Sequence, residues 1–196
     1  MHIPDGFIDI PTSAAFAAIA AVGVAASLKG AKSSLDDKTA PLAGLTATFI
    51  FAVQMLNFPV AAGTSGHLLG AALATVLVGP YAATLALTIV LLLQALLFAD
   101  GGLSALGLSA FNMSIVAVWV SYAVFFTLKK ILPKTKSSTA AAAGIAALIS
   151  VPAAAASFVL QYAIGANATF SVSAVLAAMA ISVASIRPLL CNKPSK

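Results

Sequence analysis

The chain has 196 residues, of which 61% are hydrophobic and only 8% are charged. Soluble domains carry about 25% charged residues, so this chain cannot cover a water-exposed surface with polar groups. A net charge of +5 would suggest a nucleic-acid partner in a soluble protein, but here the charges lie between long apolar blocks and report membrane topology. We therefore predict an all-α integral membrane protein in a lipid bilayer, with no nucleic-acid partner.

Apolar segments that fit membrane helices follow one another along the chain, and we count seven. Their approximate bounds are 12–28, 40–56, 67–79, 81–98, 109–128, 139–164 and 170–186. The third segment has only about eleven apolar residues after His67, too few to cross a bilayer core of about 30 Å. It is expected to start below the membrane surface, inside the bundle, and to end at Gly79–Pro80.

The positions of the basic residues support this count. All ten lie in three regions, 29–38, 129–136 and 187–196, and with seven spans these regions share one side of the membrane. The positive-inside rule makes that side the cytoplasm, so the N-terminus is outside and the C-terminus inside. We expect one membrane domain over 1–196, with an N-terminal tip (1–11), a helical bundle (12–190) and a cytoplasmic tail (191–196). His2 and His67 then share the external side.

The first residues, MHIPDG, carry the chemistry of a metal chelate. The amine of Met1 and the backbone nitrogen of His2 close a five-membered ring on one metal ion. Nδ1 of the same histidine closes a six-membered ring, which places three nitrogens in one plane. The imidazole of His67 would fill the fourth corner. An all-nitrogen planar site suits Ni(II) or Cu(II), whereas Zn(II) prefers a tetrahedron and Mg, Ca and Mn prefer oxygen.

Each histidine also has a plain structural interpretation. His2 alone could belong to a frayed terminus, and His67 in GTSGHLLG could donate to a loop carbonyl at a helix start. Their shared side, in a chain with no other histidine, favours the metal site. Some polar residues could hydrogen-bond the metal ligands and orient them, namely Asp5, Gln54, Asn57, Ser65 and Asp100. Interhelical hydrogen bonds explain the amides, and solvated turns the carboxylates, equally well.

Other activities fit the sequence poorly. GTSGHLLG lacks the Gly-Lys-Ser/Thr ending of a phosphate-binding loop, so the chain is not expected to hydrolyse ATP. Ion-driven carriers usually have charged residues in the middle of their membrane spans, and the predicted spans of this chain have none. The chain contains no glutamate, which excludes a His-Glu-x-x-His metalloprotease. We predict no catalytic residues and no organic cofactor.

Four stretches together resemble one transporter family across essentially the whole chain: MHIPDGF, QMLNFPVAAGTSGHLLGAAL, LLLQALLFADGGLSALG and FNMSIV. They are similar to the substrate-binding membrane (S) component of nickel and cobalt energy-coupling-factor (ECF) transporters, the CbiM/NikM family. The resemblance implies a square-planar metal site formed by Met1, His2 and His67. It also implies a seven-helix fold in which the N-terminal tip is inserted into the bundle.

The resemblance further implies partners and a location. These are a membrane coupling (T) protein, cytoplasmic ATP-binding-cassette ATPases, in some systems a small accessory membrane subunit, and a bacterial or archaeal cytoplasmic membrane. M-H-I-P-D-G looks more like the nickel branch, and M-H-I-M-E-G like cobalt importers linked to cobalamin. The transported substrate is therefore expected to be Ni(II), with Co(II) as the alternative. A membrane metal sensor that does not transport, a self-sufficient carrier and a bundle without a metal site are hypotheses of other classes.

Overall fold

The computed structural model of the protein describes residues 2–37, 39–56, 58–59, 65–66, 68–167 and 171–185. The regular structure of the described residues is helical, apart from a two-residue antiparallel pairing of β1 (Phe58–Pro59) with β2 (Ser65–Gly66) and an isolated antiparallel bridge between Ile8 and Ala166. The helices are α1 (Ile10–Ala31), α2 (Thr39–Gln54), α3 (Ala71–Phe98), α4 (Leu106–Ala110), a π-helical turn (Phe111–Val116), α5 (Ala117–Ile131), α6 (Lys136–Gly165) and α7 (Val172–Ser185).

Four stretches of helix are long and apolar enough to cross a membrane within the described residues. They are α1, α3, the continuous stretch Leu106–Ile131 and α6. Large apolar side chains such as Leu97 and Ile131 point outward and are 70% and 75% exposed. Apolar side chains on the outside of a helical protein are stable in lipid rather than in water. The protein is therefore a multi-pass helical membrane protein, as the composition predicts.

Helix α3 is a hairpin of two arms rather than one rod. A straight helix of 28 residues would be about 42 Å long. Both ends of α3 nevertheless contact the same turn of α2, since Gly70 packs on Ile50 and the rings of Phe98 and Phe51 are 5.4 Å apart. The reversal occurs at Gly79, whose φ of 78° and ψ of 168° are non-helical. The predicted break at Gly79–Pro80 is thus present, and residues 71–78 form the short arm.

Several helices extend further than the sequence-based bounds and include lysines in their terminal turns. The sequence predicts that the lysines lie between the helices. In the structure, Lys29 lies in the last turn of α1 and α6 begins at Lys136. The last turn of α5 contains Lys129 and Lys130. Long lysine side chains reach water from a helical backbone, and cations are favourable at helix C-termini. The fifth segment also starts earlier than predicted, at Leu106 rather than Ser109.

Helix packing creates two buried apolar clusters. The larger one joins both arms of α3 to α2, α5 and α6 in the middle of the bundle. The smaller one lies at the end where α6 finishes, and it contains residues 3, 7 and 8 from before α1 together with residues of α4, α6 and α7. Small residues allow close approach here, because Gly107 of α4 faces the backbone of Ala17 in α1. The N-terminal tip is therefore part of the core.

Candidate metal site

The N-terminal tip is buried rather than frayed. His2 is 7% exposed and Ile3 is 2% exposed. Phe7 packs its ring against Tyr162 of α6, with centroids 5.2 Å apart. Aromatic burial of this kind stabilises a segment strongly, since each such side chain removes a large apolar area from water. The interpretation of His2 as part of a disordered terminus is therefore wrong.

Backbone hydrogen bonds fix the tip against the end of α6. The N–H of Asp9 donates to the carbonyl of Gly165 at 2.8 Å, and the N–H of Asn167 donates to the carbonyl of Phe7 at 3.2 Å. The carboxylate of Asp9 then caps α1 by accepting from the N–H of Thr12 at 3.1 Å. The chain thus enters its first helix from a fixed position.

A second set of bonds fixes the tip against the loop after α3, residues 99–104. The N–H of Gly102 donates to the carbonyl of Ile3 at 2.8 Å. Oδ1 of Asp5 accepts from the backbone N–H of Ser104 at 2.8 Å and from its hydroxyl. A Cβ atom at Gly102 would overlap the backbone nitrogen and carboxylate of Asp5. The two hydrogen bonds from Ser104 also lower the pKa of Asp5.

The imidazole of His2 faces a carboxylate from the same loop. Its Nε2 lies 3.6 Å from Oδ2 of Asp100. Burial, with a smaller contribution from the positive charge of the N-terminus, lowers the pKa of His2 from its ordinary 6.5 to about 4, while Asp100 acts in the opposite direction. The ring is therefore neutral at pH 7, and neutral imidazole is the form that binds metals. A cavity of about 310 Å³ lies beside it, lined by the tip and residues 99–102.

The structure brings together three of the residues that the sequence singled out: His2, Asp5 and Asp100. Gln54 is fully buried elsewhere, and its Nε2 donates to the carbonyl of Leu69 at 2.8 Å, which ties the end of α2 to the segment before α3. Ser65 is described only through its strand pairing with Pro59.

Three predicted residues lie outside the described part of the chain: Met1, Asn57 and His67. Within the described part, no group of three histidine, cysteine, aspartate or glutamate side chains gathers as a metal site. The four-nitrogen site therefore remains a prediction.

Sequence reasoning missed the residues that receive the tip. Gly102 and Ser104 hold Ile3 and Asp5, and Oγ of Ser109 accepts from the N–H of Ile3 at 3.4 Å. The stretch ADGG looks in the sequence like nothing more than the end of a helix. Its two adjacent glycines are a signal that another backbone approaches closely at this point.

The sequence model of the CbiM family, described as "Cobalt uptake substrate-specific transmembrane region", matches residues 2–188. This chain belongs to the CbiM family. A family member of Archaeoglobus fulgidus, named for nickel transport as a NikMN fusion, is 45% identical over 133 residues, which cover 66% of this chain and 43% of that protein. The cobalt transport protein CbiM of Clostridioides difficile is 35% identical over 132 residues, which cover 66% of this chain and 53% of that protein.

A solved structure supports the fold of this CbiM-family chain. The crystal structure of a truncated transition metal transporter superposes with a TM-score of 0.78 at 29% identity, covering 97% of this chain and 98% of that one. The chain spans about half the length of the curated relatives it matches. Together the matches place the chain in the CbiM family, whose relatives are named for nickel transport or for cobalt transport.

Proposed function

We propose that this chain is the substrate-binding S component of an ATP-driven ECF importer and that it binds Ni(II) at its external face. The observation that carries the proposal is the buried tip, in which a neutral His2 lies beside a cavity and Asp100. The neutral imidazole of His2 is already fixed in place, so it can bind a metal ion without rearrangement of that side chain.

The proposed ligands are the amine of Met1, the backbone nitrogen and Nδ1 of His2, and the imidazole of His67. Two features of the described residues support this set. Asp100 lies on the Nε2 side of the His2 ring, and an acidic partner at one ring nitrogen is the usual arrangement when the other nitrogen binds a metal. The bond from Gln54 to Leu69 holds the segment that directly follows His67. Asp5 keeps the tip in place through Ser104.

We further propose seven membrane segments, with the tip outside, the C-terminus inside and residues 1–11 and 12–190 acting as one unit. The α3 hairpin supports this count, because its two arms are separate segments in addition to α1, α2, Leu106–Ile131, α6 and α7. The tip and the 99–104 loop lie at one end of the bundle. The lysines of α5 and α6 lie at the other end, which is the arrangement that the positive-inside rule requires.

Nickel is the favoured substrate and cobalt the alternative. A planar site of four nitrogens suits Ni(II), whereas Co(II) has no comparable preference for this geometry. The relative named for nickel transport is also more similar to this chain than the cobalt transport protein, at 45% against 35% identity. Cobalt binding as tight as nickel binding under the same conditions would favour the alternative.

The proposed division of labour leaves energy coupling to other subunits. A membrane coupling protein and cytoplasmic ATP-binding-cassette ATPases would drive import into a bacterial or archaeal cell, with a small accessory membrane subunit in some systems. We expect nickel accumulation in cells that express the chain with these subunits and none in vesicles with the chain alone. Accumulation by the chain alone would indicate a carrier, and binding without accumulation in the full set would indicate a sensor.

The position of the amine gives the sharpest test of the ligand set. One glycine added before Met1 moves the histidine to position 3, where a second backbone nitrogen completes a planar chelate without His67. In the unextended chain, His67→Ala should weaken nickel binding by at least about 100-fold, because a metal ligand is lost. In the extended chain, the same substitution should have little effect, and the absorption of the nickel complex should change.

A glycine added after Lys196 is the matched control, and it should bind nickel like the unextended chain. If the N-terminally extended chain keeps both the absorption and the dependence on His67, the free amine is not a ligand. The site would then have to be rebuilt around His67 and the buried amides.

A further inference from the structure

A basic groove lies at the end of the bundle opposite the tip. Its walls are the last turn of α5 and the first turns of α6, and its floor is Val76 in the short arm of α3. The polar lining residues are Lys129, Lys134, Lys136, Thr135 and Thr139. The cavity measures about 460 Å³, within the range of about 300–1,000 Å³ that small-ligand pockets occupy.

The positive charge of this groove is not balanced by the residues that line it. None of its lysines forms an ion pair with a described residue. Three of the chain's five aspartates, Asp5, Asp9 and Asp100, lie at the tip end. The groove also opens beside the start of α6, where backbone N–H groups add to the positive potential. An anion at this place would be attracted by several charges at once.

Hydrogen bonds hold one lysine at the groove. Nζ of Lys129 donates to Oγ1 of Thr139 at 3.3 Å, and that hydroxyl donates to the carbonyl of Thr135 at 3.0 Å. An ammonium has three N–H donors, so Lys129 can donate to a bound anion while it keeps the bond to Thr139. The neighbouring Lys130 behaves differently, because its Nζ lies over the ring of Phe126, 4.5 Å from the centroid, and it does not line the groove.

The surroundings of the groove are those of a membrane boundary. Phe126 and Ile131 of α5 are 47% and 75% exposed, so apolar side chains face outward at the same end of the bundle. The groove itself combines lysines and hydroxyls with an apolar base of Val76, Ala140 and Ala143. A ligand with a negatively charged head and an apolar body matches both parts of this lining.

We propose that the basic groove binds the phosphate headgroup of an anionic phospholipid from the adjacent leaflet. The headgroup phosphate accepts hydrogen bonds from Lys129 and Lys136, and the glycerol and upper acyl chain lie against Val76 and the alanines of α6. This site is independent of the metal site, because it lies at the opposite end of the bundle. It anchors the short loop between α5 and α6 to the membrane surface.

Lipid binding to the purified full-length chain tests the proposal. The probes are phosphatidylglycerol and phosphatidylcholine in detergent solution, and the readouts are native mass spectrometry and the midpoint of thermal unfolding. Phosphatidylglycerol should be retained and should raise the midpoint, whereas phosphatidylcholine should do neither. The double variant Lys129→Gln/Lys136→Gln should lose about tenfold to thirtyfold in phosphatidylglycerol affinity, the effect of two lysines near an anionic surface.

The matched control is Lys29→Gln/Lys130→Gln, which removes the same charge from the same end but leaves the groove intact. Equal losses in the two double variants would overturn the proposal, since they would mean that only the total charge matters. Stabilisation by inorganic phosphate alone, at equal concentration, would identify a free anion as the ligand and would also overturn it.

A measurement on the unaltered chain covers the case in which the groove variant does not fold. Photo-crosslinkable phosphatidylglycerol should label residues 129–143 preferentially, as mapped by peptide mass spectrometry. Labelling spread evenly over all lysine-bearing turns would contradict a specific site.

Discussion

The two ends of the bundle are built on different principles. At the tip end, backbone atoms meet backbone atoms, as in the bonds from Gly102 to Ile3 and from Asp9 to Gly165, each at 2.8 Å. At the lysine end, the α5–α6 corner is joined across the two helices by the bond from Lys129 to Thr139 at 3.3 Å. A planar chelate needs atoms held within a fraction of an ångström, whereas attraction between charges tolerates movement. The difference agrees with the proposal that the tip end binds a metal ion through fixed geometry.

The largest effect on nickel affinity is expected when the contact between the tip and the 99–104 loop is disrupted. In Gly102→Ala the new Cβ would overlap the backbone nitrogen and carboxylate of Asp5, which cannot move without displacing the tip. Overpacking against backbone costs about 1–3 kcal/mol or more, and nickel affinity should fall by more than about 100-fold, which is about 2.7 kcal/mol. Isothermal titration with nickel measures the affinity, and circular dichroism checks that the helices persist.

Gly144→Ala in α6 is the control for this substitution, since the Cβ that it adds would meet no atom within 4 Å. It should bind nickel normally and be as stable as the unaltered chain or slightly more so. If Gly102→Ala also binds normally, close backbone contact at the tip does not define the site.

Acidification should loosen the tip end before the rest of the bundle. The pKa of His2 is about 4 in the folded protein and 6.5 when exposed, so the unfolded state binds the proton more readily. The resulting stability is fully present above pH 6.5 and is lost as pH falls toward 4. Between pH 7 and 5 the loss should be about 2 kcal/mol. The thermal midpoint of metal-free protein, compared with His2→Gln, measures it.

The His2→Gln variant has no imidazole and should show a weaker pH dependence over the same interval. Asp5 adds a smaller loss at lower pH, because its lowered pKa delays protonation of the carboxylate. Parallel pH profiles for the two proteins would indicate that His2 is not buried as a neutral group.

The smallest of the three effects is expected at the bond between the tip and Ser104. Asp5→Ala removes the acceptor of both Ser104 hydrogen bonds, and Asp5→Asn keeps one acceptor oxygen without the charge. Nickel affinity should fall by about tenfold in the alanine variant, at the low end for residues that support metal ligands, and less in the asparagine variant. Asp37→Asn, in the exposed turn before α2, should have no effect on affinity. A loss in Asp37→Asn equal to that in Asp5→Ala would point to overall charge instead.

The sequence predicts the helices well because apolar composition alone decides them in lipid. It also predicts the reversal at Gly79–Pro80, since both residues interrupt a helix in ways that depend little on distant contacts. It does not predict the start at Leu106, because Gly107 looks like a loop residue, whereas it is a helix residue packed on Ala17. The ends of the lysine-bearing helices are also not predicted, because a long lysine side chain can reach water from a residue that is still helical.

The proposed metal site is likewise only partly predictable from the sequence. The chelating role predicted for His2 comes from the local sequence MHIPDG and requires no knowledge of the fold. The residues that hold the tip in place cannot be predicted in this way, because they are distant in the sequence. Ser104 lies 99 residues from Asp5, and Ser109 lies 106 residues from Ile3. Such partners share no local pattern, so they become visible only once the chain is folded.

The hairpin in α3 has a consequence for how the chain enters a membrane. Ala71–Phe98 is long and apolar enough to cross a membrane as a single helix. The backbone of Gly79 turns it back, so that the loop at 99–104 returns to the end from which residue 70 departed. The conformation of Gly79 therefore determines at which end of the bundle the chain continues after α3. If α3 were a straight rod, Asp100 would lie at the opposite end of the bundle from His2, whereas the two side chains are 3.6 Å apart.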